Sequence, residues 1–244
     1  MAKALPRSEF YTTYAEYCDF AREMFFDHAQ LLQLQEDALP FLYDDYGHGI
    51  QHSKQVAMDA CALVMAEARQ FGPDDLRQLG LLAQMAALLH DICRLEDNHA
   101  RRGADTAAIV LKNYDLLERE KAMIIHAVAC HDPASPEPAS DNPMTQLLSD
   151  ALYDADVFRW GQDHFSTTLW ELCDYEDWTL QEIIDRFPEG LERLRALKST
   201  FRTQVGRTYG PGILDAGEEL AGKLFARLKA LAVQHTIGDL PPEE

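Results

Sequence analysis

The feature that most constrains this chain is the recurrence of apolar residues every three or four positions along nearly its whole length. Over residues 52–71, Val56, Ala60, Val64 and Ala68 fall at four-residue intervals, and over the next segment Leu79, Leu82, Ala83, Ala86 and Leu89 repeat the pattern. A side chain returns to the same helix face after 3.6 residues, so this spacing builds apolar stripes on helices. Alternating polar and apolar runs of the strand type are nearly absent. The expectation is an all-α fold, a bundle of about nine helices.

Local signals divide the chain. An aromatic-rich helix is expected over residues 9–39, ending before Pro40. Gly72 and Pro73, followed by Asp74 and Asp75, stop one helix and open the next, which is expected to reach Leu95. Further helices are expected over residues 98–113 and 116–130, the latter opened by a capping box of Asp115 and Glu118. Another should cover residues 144–160. Thr179 and Glu182 form a second capping box for a helix ending near Phe187, and residues 214–233 supply the last helix. The stretch 132–143 carries four prolines and reads as a surface loop able to act as a lid. The whole chain, residues 1–244, is read as a single all-α domain.

Composition excludes several classes. With 41 acidic against 22 basic residues the net charge is −19, which repels nucleic-acid backbones and leaves small ligands as the expected partners. Five scattered cysteines with no CxxC pair fit reduced thiols. No apolar run is long enough to span a bilayer, so a cytoplasmic protein with no membrane partner is expected. No heptad array is present to fix an oligomeric state. Phosphate loops, GxGxxG, GxSxG and HExxH are all missing.

The chemistry concentrates at His90-Asp91. An imidazole and a carboxylate at the end of a buried apolar stripe are costly to bury unless charge and hydrogen bonds are satisfied. A structural hydrogen bond satisfies them in part; a divalent metal satisfies both. Two other segments carry polar residues that could join the pair in Leu88-Leu89-His90-Asp91-Ile92: His48 and His52 before Val56, and Tyr153-Asp154-Ala155-Asp156-Val157.

In the order H, HD, D these segments resemble the HD superfamily of metal-dependent phosphohydrolases. The resemblance covers approximately residues 44–165, with helix 9–39 and C-terminal helices 165–235 packed on that core. It implies metal ligation by His52, His90, Asp91 and Asp156. His52 is preferred to His48 because it heads the amphipathic run, and Asp156 to Asp154 because of the family pattern, although Asp154 also sits near the apolar face. His99, ahead of Gly103-Ala104, and His131, after an apolar helix, resemble the extra ligands of dinuclear relatives. His131 is preferred to His126, and the alternative for both is a helix-end histidine bonded to backbone carbonyls.

What the resemblance implies is hydrolysis of a phosphate ester of a small metabolite or nucleotide by metal-activated water, with one or two divalent ions (Mn, Mg, Fe, Ni, Co or Zn). His90 and Asp91 then form the catalytic pair and Arg94 a nearby cation for the phosphate. Arg159 flanks another ligand, and the segment 186–207, with six basic and two acidic residues, offers Lys198, Arg202 and Arg207 for substrate binding near a loop expected over residues 206–212. The alternative for that segment is a basic helix face paired with acidic surface. The chain lacks the GYP extension of cyclic dinucleotide phosphodiesterases, and Glu96-Asp97 does not reproduce the offset seen in alarmone hydrolases. Two other readings share the ligand set: a dinuclear-iron oxygenase with ligands in the order H, HD, H, H, D, and a non-catalytic nucleotide-sensing domain.

Overall fold

The computed structural model describes residues 8–42, 47–69, 72–132 and 139–238. It is all-α: among the described residues eleven α-helices and no strand occur. None of these helices is long and apolar enough to cross a membrane.

The expected N-terminal helix is three helices, α1 (Glu9–Thr13), α2 (Ala15–Asp27) and α3 (Ala29–Ala38). The breaks fall at Tyr14 and at His28, whose ψ of 122° is extended. Neither glycine nor proline marks these breaks, and periodicity alone does not register them.

The centre of the fold is the pair α4 (Ile50–Glu67) and α5 (Pro73–Leu89), which pack on each other more extensively than any other two elements. Both are alanine- and leucine-rich, and Ala57, Ala60, Leu63, Val64, Leu82, Ala86 and Leu89 are fully or almost fully buried. A helix apolar on most of its circumference must be covered on most sides. Accordingly α4 also meets α2 and α8 (Pro143–Phe158), while α5 meets α3 and α7 (Glu118–Ala129). Pro73 stands in the first turn of α5 with Asp74 and Asp75, as the sequence suggests.

Three boundaries in the middle of the chain differ from expectation. Helix α5 ends at Leu89 rather than Leu95, and residues 90–95 form turns. The turn that follows places Asn98 in the left-handed region (φ 56°), a conformation asparagine tolerates, just before α6 (His99–Val110). Helix α7 opens two residues later than expected: Leu116 N–H bonds back to Tyr114 O, and Glu120, not Glu118, accepts from the backbone N–H of Leu117 (2.9 Å). After the short α9 (Leu169–Tyr175), the Thr179–Glu182 capping box opens α10 (Leu180–Leu197), but Pro188 does not stop it. Buried Phe187 and Leu194 anchor the helix on either side of that proline.

The largest difference is the last helix, α11, which spans Gln204–Gly238 and absorbs the loop expected over residues 206–212. Two of its glycines, Gly206 and Gly210, serve close approach. A Cβ on Gly206 would lie 2.0 Å from Asp154 Oδ2, and one on Gly210 2.3 Å from the Phe201 ring. The proline-rich stretch read as a lid falls, for residues 133–138, outside the described residues.

Candidate metal centre

Five elements deliver the polar cluster. His52 stands in the first turn of α4, with His48 just ahead of it; the turn after α5 carries His90 and Asp91; His99 opens α6; His131 follows α7; and Asp156 lies in the last turn of α8. His90 Nδ1 lies 2.6 Å from Ala87 O, and His131 Nδ1 lies 2.6 Å from Val128 O. Each Nδ1 therefore carries the hydrogen, and each Nε2 faces the cluster with its lone pair.

Asp91 joins two groups of donors. Its Oδ2 lies 3.0 Å from His48 Nδ1, 3.3 Å from His90 Nε2 and 3.7 Å from His52 Nε2. Its Oδ1 lies 3.5 Å from His131 Nε2 and 3.9 Å from His99 Nε2. On the first side, His52 Nε2 is 3.3 Å from His90 Nε2 and 3.1 Å from Asp156 Oδ1. On the second, His99 Nε2 is 3.2 Å from His131 Nε2.

The donor set fits metal ions. Atoms bound at 2.0–2.2 Å from one ion sit roughly 3 to 3.5 Å apart, close to the spacings here. Two imidazole lone pairs turned toward each other repel unless a proton or cation lies between them. Asp91 Oδ1, moreover, is buried with no hydrogen-bond partner, a costly state for a carboxylate oxygen that a cation would relieve.

The electrostatics agree. Burial would raise the Asp91 carboxyl, but His90, His131 and His48 hold it well below the usual carboxylate range. Burial, helped by the charges of His48 and His90 and opposed by Asp156, pushes His52 down to about 4, so it presents a neutral ring. Burial opposes charge on His90 as well, yet Asp91 and Asp156 hold its pKa up at about 9. With Nδ1 committed to Ala87 O, the extra proton on His90 sits on Nε2, at the position a cation would take. Metal binding must therefore displace it.

The structure gathers His52, His90, Asp91, His99, His131 and Asp156, and it separates the alternatives. Asp154 faces away from the cluster and accepts from Arg202 N, Thr203 N and Thr203 Oγ1 at 2.7–2.8 Å. His126 lies beside Cys130 Sγ, apart from the donors. His48, set aside on pattern, is within reach of Asp91. Arg94 stands at the second group, its Nη1 3.1 Å from His99 Nε2 and 3.8 Å from Asp91 Oδ1.

The other cations singled out from sequence are each held by protein partners, and of these only Arg159 also lines the cavity at the donor cluster. Arg159 is buried, ion-paired with Asp59 and Asp163, and bonded to Gln55 and to Tyr11 Oη (2.8 Å). Lys198 pairs with Asp215 (2.6 Å) and Glu218 (2.5 Å). Arg202 donates to Cys130 O and stacks over Tyr153, 3.6 Å from the ring centroid, and Arg207 donates to Phe201 O. Lys198, Arg202 and Arg207 do not line the cavity at the donor cluster, because the segment that carries them folds as the end of α10, a link and the start of α11. That cavity, of about 230 Å³, is instead lined by Arg94, Arg159, Arg193, Trp160 and His164 together with His48, His52, His99 and His131. Arg193 belongs to the same basic run; four residues before Leu197, it shares with it the helix face that meets the cavity. His164 stands in no motif, and only the fold brings it here.

No curated protein and no solved structure matches the chain. The family model of the HD domain matches residues 49–160. All six donors, Asp91 included, from His52 to Asp156 lie inside that match, and over residues 49–160 this chain is similar to the HD domain family.

Proposed function

We propose that this chain is a metal-dependent phosphohydrolase that cleaves a phosphate ester of a small metabolite or nucleotide. His52, His90, Asp91 and Asp156 would hold one divalent ion, and Asp91, His99 and His131 would hold a second. Such ions, when bound, polarise a phosphate oxygen and bring the pKa of water toward neutrality. The rest falls to the chain. The Nδ1 bonds to Ala87 O and Val128 O keep His90 and His131 from rotating. Arg94 and Arg193 bring positive charge to the cavity, against the negative charge that grows on phosphate oxygens as the bond to the leaving group breaks. Attack by water forms the new P–O bond while the leaving oxygen departs and takes up a proton.

The observation that carries this reading is the buried Asp91 Oδ1, which accepts no hydrogen bond and faces two histidine nitrogens. The test is release of phosphate from a panel of phosphate monoesters with Mn, Mg, Fe, Ni, Co or Zn added singly, with and without oxygen, comparing the parent with Asp91→Ala. Phosphate release without oxygen, abolished in Asp91→Ala, supports the proposal. The six donors in the order H, HD, H, H, D favour a second reading, a dinuclear-iron oxygenase; oxygen consumption with iron and no anaerobic phosphate release would select it. Ligand binding with no turnover under any metal would select a sensing domain.

A further inference from the structure

The cavity at the metal centre does not end there. Trp160, His164, Leu172 and Arg193 line it and also line a second cavity of about 240 Å³. The second compartment is walled by Phe165, Leu169, Trp178, Ile183 and Phe187, with Arg186 at its side. All of these lie beyond residue 160, outside the HD match. Together the two spaces fall in the range of roughly 300 to 1,000 Å³ that small-molecule sites occupy.

The compartments differ in chemistry in a way that sorts the two ends of a ligand. The first presents imidazoles, carboxylates and Arg94. The second presents flat apolar faces. Trp160 and His164 stack at the junction, 4.5 Å apart and 16° from parallel. The Arg193 guanidinium lies 5.3 Å from the Trp160 ring centroid and that of Arg186 4.5 Å from that of Trp178. Arg186 and Arg193 make no ion pair within 4 Å among the described residues, in contrast with Lys198 and Arg195 nearby, which pair with Glu218. Cations that stack on indole rings without a carboxylate partner leave donors for an anionic or polar group on a ligand.

Resting on the phosphohydrolase reading above, we infer that the second compartment receives a planar ring on the leaving group of the substrate, so that the enzyme prefers phosphate monoesters whose alcohol carries such a ring. The phosphate sits at the Asp91 centre, the linking atoms pass Arg193 and Trp160, and the ring lies among Trp178, Phe165 and Phe187. Gly190 gives a handle on this space: it lines the compartment, and a Cβ there meets no atom within 4 Å. A large side chain can therefore be placed at the edge of the compartment without a clash at its Cβ, where it would compete with a ligand for the space.

The test compares adenosine 5′-monophosphate with ribose 5-phosphate, which lacks only the base, and with naphthyl phosphate, which has a ring but no sugar. The metal-loaded protein is studied as parent, Gly190→Phe and Trp178→Ala. The expected result is kcat/KM at least about tenfold higher for adenosine monophosphate than for ribose phosphate, in the range of one stacking interaction, falling to within about threefold in both variants. High activity on naphthyl phosphate as well assigns the preference to any planar ring; low activity there assigns it to a nucleoside. Quenching of tryptophan fluorescence by adenosine monophosphate, but not by ribose phosphate, reads ring binding apart from turnover. Quenching without phosphate release from any ester supports the compartment and removes the hydrolase reading. Equal hydrolysis of the three esters without quenching, or a ratio that Gly190→Phe and Trp178→Ala leave unaltered, overturns the inference and spares the hydrolase.

Discussion

Four glycines of α11 take the same substitution to opposite ends. In Gly206→Ala the new Cβ would lie 2.0 Å from Asp154 Oδ2 and 2.8 Å from Thr203 Oγ1. The carboxylate cannot yield cheaply, because it is buried and accepts from Arg202 N, Thr203 N and Thr203 Oγ1. Hydrogen bonds to a charged group are each worth about 1.5–3 kcal/mol. Losing the better part of two of them, less the gain of about 1 kcal/mol for alanine over glycine in a helix, leaves a destabilisation of about 2–5 kcal/mol. Gly210→Ala presses on the buried Phe201 ring at 2.3–2.5 Å and should cost about 1–3 kcal/mol. At Gly212 and Gly222 a Cβ meets nothing within 4 Å, and alanine there should stabilise by about 0.5–1 kcal/mol. Urea unfolding at neutral pH, followed by circular dichroism, measures all four. Should Gly206→Ala stabilise the protein as Gly212→Ala does, the helical path from residue 204 and the packing of Asp154 against it are both refuted.

Other consequences follow from the buried charges. Asp59→Ala removes the buried carboxylate partner of Arg159, leaving it the half-exposed Asp163, and should cost about 3 kcal/mol, whereas Asp59→Leu combined with Arg159→Met should recover most of it; equal losses in the single and double variants would argue against the pair. Burial, with the charges of His48 and Arg193, pushes His164 down to about 4 from an ordinary 6.5. The unfolded chain therefore takes up this proton first, so the stability that neutral His164 confers is complete above pH 6.5 and is lost as pH falls toward 4. In metal-free protein His164→Phe should flatten the decline over that window by about 2 kcal/mol, read from unfolding midpoints across pH; an unchanged slope would count against the burial of that ring.

How far the residues announced this arrangement differs from place to place. The stripes of α4 and α5 and the signals at Pro73 and Thr179 carry their own geometry, and the positions of His52, His90, Asp91 and Asp156 followed from them with the family pattern. Glycine and proline misled: Gly206, Gly210 and Pro211 read as a loop, yet Gly206 and Gly210 admit Asp154 and Phe201 at short range inside a helix. Charge misled in another way. The basic run from Arg186 to Arg207 is visible as a sum, but which member meets the cavity depends on how α10 is rotated, and that selects Arg193 over Lys198, Arg202 and Arg207. His164 and Trp160 belong to the site only because the chain after α8 turns back across it. No local pattern encodes such a return.

Asp91 belongs to donor groups on both sides of the cluster, which would hold two cations. Elemental analysis of protein purified and then reconstituted with a single divalent metal, followed by desalting, counts the ions that each chain retains. About two per chain are expected for the parent, about one for His131→Ala, and markedly fewer than one for Asp91→Ala. A parent that retains none, or three proteins that retain the same number, would contradict it.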